Sequence, residues 1–125
     1  MHQVYAPKIL LLGDEFLNNK ILAKILQEMQ FDVSTFPTAS NGYLKRDFGK
    51  VDLMVVEIED GNGKKDFGWI QQVKQQTPST KVIVVNSGKS IETIIEAFQN
   101  GANDFFRKPV DEKLLSERIL ALLET

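Results

Sequence analysis

Residues 51–59 read Val-Asp-Leu-Met-Val-Val-Glu-Ile-Glu, a nearly continuous apolar run that stops in acid. Leu53, Met54, Val55 and Val56 leave no polar face, so as a strand this segment is covered on both sides, the pattern of a central parallel strand. Glu57 then stands where the strand leaves the core. In open parallel α/β sheets ligands gather outside the carboxyl ends of the strands. An acid there is placed for chemistry, and it is also an ordinary way for a strand to become polar.

Working outward from that run, strands and helices alternate. Lys8 to Leu12 (KILLL) is an apolar strand running into Gly13, Asp14 and Glu15. From Phe16 to Met29 the residues Leu17, Ile21, Leu22, Ile25, Leu26 and Met29 recur at steps of three and four, which predicts an amphipathic helix on a sheet. Asp32 to Phe36 is a short strand, and Thr38 to Gly49 a helix with Tyr43, Leu44 and Phe48 on one side. Asp60 to Lys65 (DGNGKK) is a turn-rich loop. Asp66 caps a helix with Trp69, Ile70 and Val73 inward, ended by Pro78. Lys81 to Val85 (KVIVV) is the fourth strand. Ser90 caps a helix whose Ile91, Ile94, Ile95 and Phe98 form one apolar stripe, stopped by Gly101. Asp104 to Arg107 is the fifth strand, and Asp111 opens a last helix with Leu114, Leu115, Ile119, Leu122 and Leu123. Strand then helix, five times over, predicts right-handed crossovers and a five-stranded parallel sheet with helices on both faces.

Composition bounds what such a fold is for. A chain of 125 residues holds one domain with a real core, residues 1–125, with residues 1–7 as a leader. Hydrophobic residues at 42% and charged ones at 26% match a globular protein. No apolar run reaches the ~18 residues of a spanning helix, and residues 1–8 lack a signal-peptide core. The absence of cysteine removes disulfides and thiolate metal sites. A cytoplasmic setting is the expectation, with no membrane contact. The basic pairs Lys45-Arg46, Lys64-Lys65 and Arg107-Lys108 are scattered on a chain of net charge -2, which argues against direct nucleic-acid binding by this domain. His2, beside the terminus, takes no catalytic role.

The strand ends carry Asp14 and Glu15, Glu57, Asn86 and Ser87, and Lys108. Carboxylates facing an ammonium could hold a hard cation such as Mg²⁺, which takes oxygen ligands. They could equally neutralise each other, as an ion pair between Glu57 and Lys108. Two enzyme readings fail on spacing. Ser87-Gly88-Lys89-Ser90 looks like the tail of a phosphate-binding loop, but its first glycine is replaced by Ile83, inside the strand. Gly13 stands alone where a dinucleotide site needs three glycines. A flavin carrier would need a Ser/Thr-rich loop after the first strand, and this chain has none.

ILLL followed by acids, VDLMVVEI, VIVVNS and above all GANDFFRKP before an amphipathic helix resemble the receiver domain of bacterial response regulators, from Lys8 to the last helix. The resemblance implies a flavodoxin-like three-layer (βα)5 sandwich of strand order 2-1-3-4-5. It also implies a place in two-component phosphorelay signalling, with a histidine kinase or an output domain or protein as partner. The family's phosphoacceptor is an aspartate, and here Glu57 occupies its position. Asn86 stands where a phosphoryl-binding hydroxyl is usual, beside Ser87, and Lys108 is kept. The implied Mg²⁺ ligands are Asp14, Glu57 and the backbone of Glu59, with Gly13 replacing the first acid of the usual pair. Phe105 falls at the aromatic switch position, without a hydroxyl, and Lys108-Pro109 at a cis peptide. Family members dimerise and signal through the fourth helix, fifth strand and fifth helix.

These departures imply an atypical receiver. Glu57 is one methylene longer than aspartate, which spoils in-line attack geometry, and Asn86 can donate an N–H to its carboxylate. The expectation is a protein-interaction module, not an enzyme, in which Glu57 paired with Lys108 and Asn86 mimics the phosphorylated state. The alternative is a phosphorylation-competent receiver attached to a transcriptional output domain.

Overall fold

The computed structural model describes residues 6–37, 50–58, 67–88 and 90–124. The helix expected over residues 38–49, the loop over 60–65, the Asp66 cap, Glu59 and His2 lie outside the described residues. Within them the strands are β1 (Lys8–Leu12), β2 (Asp32–Phe36), β3 (Leu53–Glu57), β4 (Lys81–Asn86) and β5 (Asp104–Arg107). The helices are α1 (Asp14–Asn18), α2 (Ile21–Glu28), α3 (Gly68–Gln76), α4 (Ile91–Gln99) and α5 (Glu112–Leu123). All pairings are parallel and the strand order is β2-β1-β3-β4-β5.

Every residue of β3 is buried, because it lies mid-sheet with helices on both sides. Its side chains alternate between two cores. Met54 and Val56 join Leu10, Leu12, Val82 and Val84 beneath Phe67, Trp69, Ile70, Val73 and Ala97 of the α3 and α4 layer. Leu53 and Val55 join Ile9, Leu11, Ile83 and Val85 beneath Phe16, Leu22, Leu26, Leu115 and Ile119 of the α1, α2 and α5 layer.

Two expectations need correcting. The single helix from Phe16 to Met29 is two helices, broken at Asn19 and Lys20. Asn19 is extended (φ -119°, ψ 107°), and its side-chain Oδ1 accepts from the Ile21 N–H at 3.1 Å. An asparagine side chain thus replaces the backbone acceptor that a continuous helix would supply. Its Nδ2 also donates to Glu112 Oε1 at 3.2 Å, tying the break to α5. The second correction concerns α4. Ser90 caps it, accepting from the Glu92 N–H at 3.2 Å. Yet the face turned inward carries Thr93 and Ala97, both fully buried, while Ile91, Ile95 and Phe98 are 68%, 48% and 45% exposed. Small residues let the helix lie close to the sheet, and its large apolar side chains face out.

Candidate functional site: the carboxyl ends of β1, β3, β4 and β5

The parallel register places Glu57 beside Val85, and Asn86 beside Arg107. Gly13, Glu57, Asn86 and Lys108 therefore come to one edge of the sheet. Glu57 is 8% exposed and its Oε2 is ion-paired with Lys108 Nζ. The backbone of Lys108 is fixed by its N–H, which donates to the Asn86 carbonyl at 3.0 Å, and the Lys108-Pro109 peptide is cis. The same ammonium lies 3.4 Å from Glu15 Oε2. That oxygen is buried and makes no hydrogen bond, so its contact with Lys108 is charge without hydrogen-bond geometry.

Asn86 is fully buried and does not reach Glu57. Its Nδ2 donates to the Ile58 carbonyl, and its Oδ1 accepts from the Gly88 N–H at 2.6 Å. A strand-end amide buried among backbone groups satisfies those groups first, because they have no water to turn to. Gly88 makes the turn possible, since a Cβ there would lie 2.7 Å from Asn86 Oδ1. Ser87 is exposed beside it. The expected triad of Glu57, Lys108 and Asn86 is thus a Glu57–Lys108 pair with Asn86 spent on the loop.

The acids after β1 also divide differently from expectation. Asp14 is exposed, and it is Glu15 that meets Lys108. Both open α1, where one residue is a turn of about 100°, so adjacent acids point in different directions. The residue pattern alone carries no information on that rotation, which decides that Glu15 faces Lys108. Gly13 explains the rest of the wall. Its φ is 154°, and a Cβ on it would lie 2.6 Å from Glu57 Cβ and 3.1 Å from Glu57 Oε1. Only glycine fits this backbone and this approach.

Phe105 is half-buried against the α3 and α4 core, and Phe106 takes the opposite core. Next to them Arg107 Nε donates to the Gly88 carbonyl at 3.0 Å, linking β5 to the loop after β4.

This donor set does not fit a Mg²⁺ ion. Residue 13 offers no carboxylate, Asp14 is exposed, and Glu57 and Glu15 face one ammonium. Among the described residues no group of three or more Asp, Glu, His or Cys side chains is arranged to hold a metal. Mg²⁺ takes one or two carboxylates and completes its shell with water, and here the two carboxylates within reach of each other are both turned to an ammonium. Glu59 lies outside the described residues.

The model of the response regulator receiver domain matches residues 9–120. The chain belongs to that family. Among its relatives are the transcriptional regulatory protein KdpE of Staphylococcus aureus, 30% identical over 90% of this chain and 48% of that protein, and the response regulator PilR of Pseudomonas aeruginosa, 29% identical over 93% of this chain and 26% of that protein. The chain thus spans about half or less of the length of these relatives. In fold it is similar to the BeF3-activated DrrB receiver domain, with a TM-score of 0.82 and 23% identity over 97% of this chain and 100% of that one. A response regulator from Thermotoga maritima gives a TM-score of 0.80 and 21% identity over 97% of this chain and 100% of that one. Receiver domains are signalling modules of two-component systems, and the flavodoxin-like architecture is theirs. No described helix is long and apolar enough to cross a membrane.

Proposed function

We propose that this receiver signals through protein contacts without aspartyl phosphorylation, and that the Glu57–Lys108 pair holds the site as phosphate would. The observation that carries the reading is a glutamate, 8% exposed, at the end of β3 with its carboxylate oxygen already paired with Lys108. A phosphoryl donor would have to be attacked by an oxygen that is paired with Lys108 and carried one methylene too far. Misplacement of ~1 Å costs on the order of a hundredfold in rate. Asp14 and Ser87, implied by the family pattern as metal and phosphoryl ligands, are both exposed.

The partners are a histidine kinase, or an output domain or protein. We place the contact on α4, β5 and α5, where Ile91, Ile95, Phe98 and Leu114 are exposed and apolar, and where a second copy could also dock. Phe105, half-buried on β5 between these helices, would report occupancy of that face.

The test is intact mass after incubation with acetyl phosphate and MgCl2, together with partner binding by wild type and Glu57→Gln. No phosphoryl mass on the wild type and weakened binding in the variant are expected. A phosphoryl adduct lost on Glu57→Gln would instead make Glu57 a working acceptor and return the protein to ordinary phosphorelay.

A further inference from the structure

We infer that Lys108 is a tethered cation seated between Glu15 and Glu57, and that this seat replaces the divalent-ion site of the fold. The inference deepens the reading of Glu57 as a non-acceptor and rests on it. Lys108 Nζ is ion-paired with Glu57 and lies 3.4 Å from Glu15 Oε2. That Glu15 oxygen is buried with no hydrogen-bond partner, so the ammonium charge is what offsets it. Gly13 lies against the same Glu57 side chain. With φ at 154° it lays the turn after β1 on Glu57, and any side chain there would meet Glu57 Cβ at 2.6 Å. The position from which an acid would supply a third ligand is therefore filled by Glu57 itself. An arriving divalent ion would find two carboxylates, already neutralised in part, and a fixed positive charge that repels it.

The arrangement predicts that a divalent ion can do what the ammonium does once the ammonium is removed. Thermal unfolding is measured for the wild type, Glu15→Gln, Lys108→Met and Lys108→Met with Glu15→Gln. Each is run in EDTA, in millimolar MgCl2, and in NaCl of matched ionic strength. Wild type and Glu15→Gln keep their midpoints when MgCl2 replaces NaCl. Lys108→Met unfolds lower in EDTA and gains about 4 °C or more in MgCl2, and the double variant loses that gain. A wild type raised by MgCl2 beyond the NaCl control would overturn the inference. So would a Lys108→Met chain that responds to neither ion or folds in neither buffer, and so would a double variant that still responds. Phosphoryl mass on Glu57 overturns the functional reading, whereas the midpoints judge the tether, so the two failures are read separately.

Discussion

Gly13 and Lys74 show how single positions set the limits of this site and this fold. Gly13→Ala puts a Cβ 2.6 Å from Glu57 Cβ on a backbone that L side chains rarely adopt. The expected loss is about 2 kcal/mol or more, read from the urea midpoint, because neither strand end can retreat without breaking its ladder. Lys74 presents a different constraint. Its Nζ donates to the Thr80 carbonyl and to Asn103 Oδ1, both at 2.6 Å, fastening α3 to the start of β4 and to the turn before β5. Burial, and then the charge of Lys81, push its pKa below the ordinary 10.5. Between the folded value and 10.5 the unfolded chain holds more protons here than the folded one. This group's contribution to stability therefore rises with pH through that window and is unfavourable below it. The stability of wild type relative to Lys74→Gln should increase as pH rises from neutral toward 10.5, measured by urea unfolding; a flat difference would refute the assignment. Sequence spacing could name Glu57 and Lys108, because strand ends are legible from apolar runs. It could not show that Gly13 touches Glu57, since that depends on a backbone angle and not on residue type.

Among the elements, α4 carries the clearest lesson. Its spacing of Ile91, Ile95 and Phe98 defines one apolar face, and periodicity alone assigns such a face to the core. The structure gives the core to Thr93 and Ala97 instead. A helix can be amphipathic toward a partner as well as toward its own sheet, and hydrophobic period does not distinguish the two. Phe98→Gln should therefore change folding stability by no more than about 0.5 kcal/mol, where a core phenylalanine would cost several times that. Ala97→Leu should destabilise by about 1–3 kcal/mol, because Ala97 is fully buried in the core that holds Val82 and Val84 and a larger side chain overpacks it. If Phe98→Gln were the costly change and Ala97→Leu the mild one, the helix would be rotated from the orientation described. Helix breaks were equally hidden. Asn18 and Asn19 are ordinary in a helical window, and only the bond from Asn19 Oδ1 to the Ile21 N–H shows why the chain turns there.

At the scale of the whole molecule, the alternation of strands and helices and the two cores follow from hydrophobic patterns, whereas the strand order comes from the resemblance to receiver domains. Five apolar runs separated by helical periods leave few topologies once crossovers are right-handed. What those patterns imply about cooperativity can be tested directly. The two cores lie on opposite faces of one sheet and share no side chain, but every strand from β1 to β4 contributes to both. Loss of either face would leave alternate residues of the same strands in water, so neither is stable alone. Trp69, the only tryptophan, sits in the α3 and α4 core, 6% exposed. Leu115 is fully buried in the other core, across the sheet. Leu115→Ala should cost about 2–5 kcal/mol, and the Trp69 fluorescence transition should move with the far-UV circular dichroism transition by the same amount. If fluorescence kept the wild-type midpoint while dichroism shifted, the two faces would unfold separately. The strand ends that position Glu57 and Lys108 would then be held by one face only. Coincident transitions mean that the crevice is fixed by the whole sheet, so substitutions far from it reach the ion pair through stability alone.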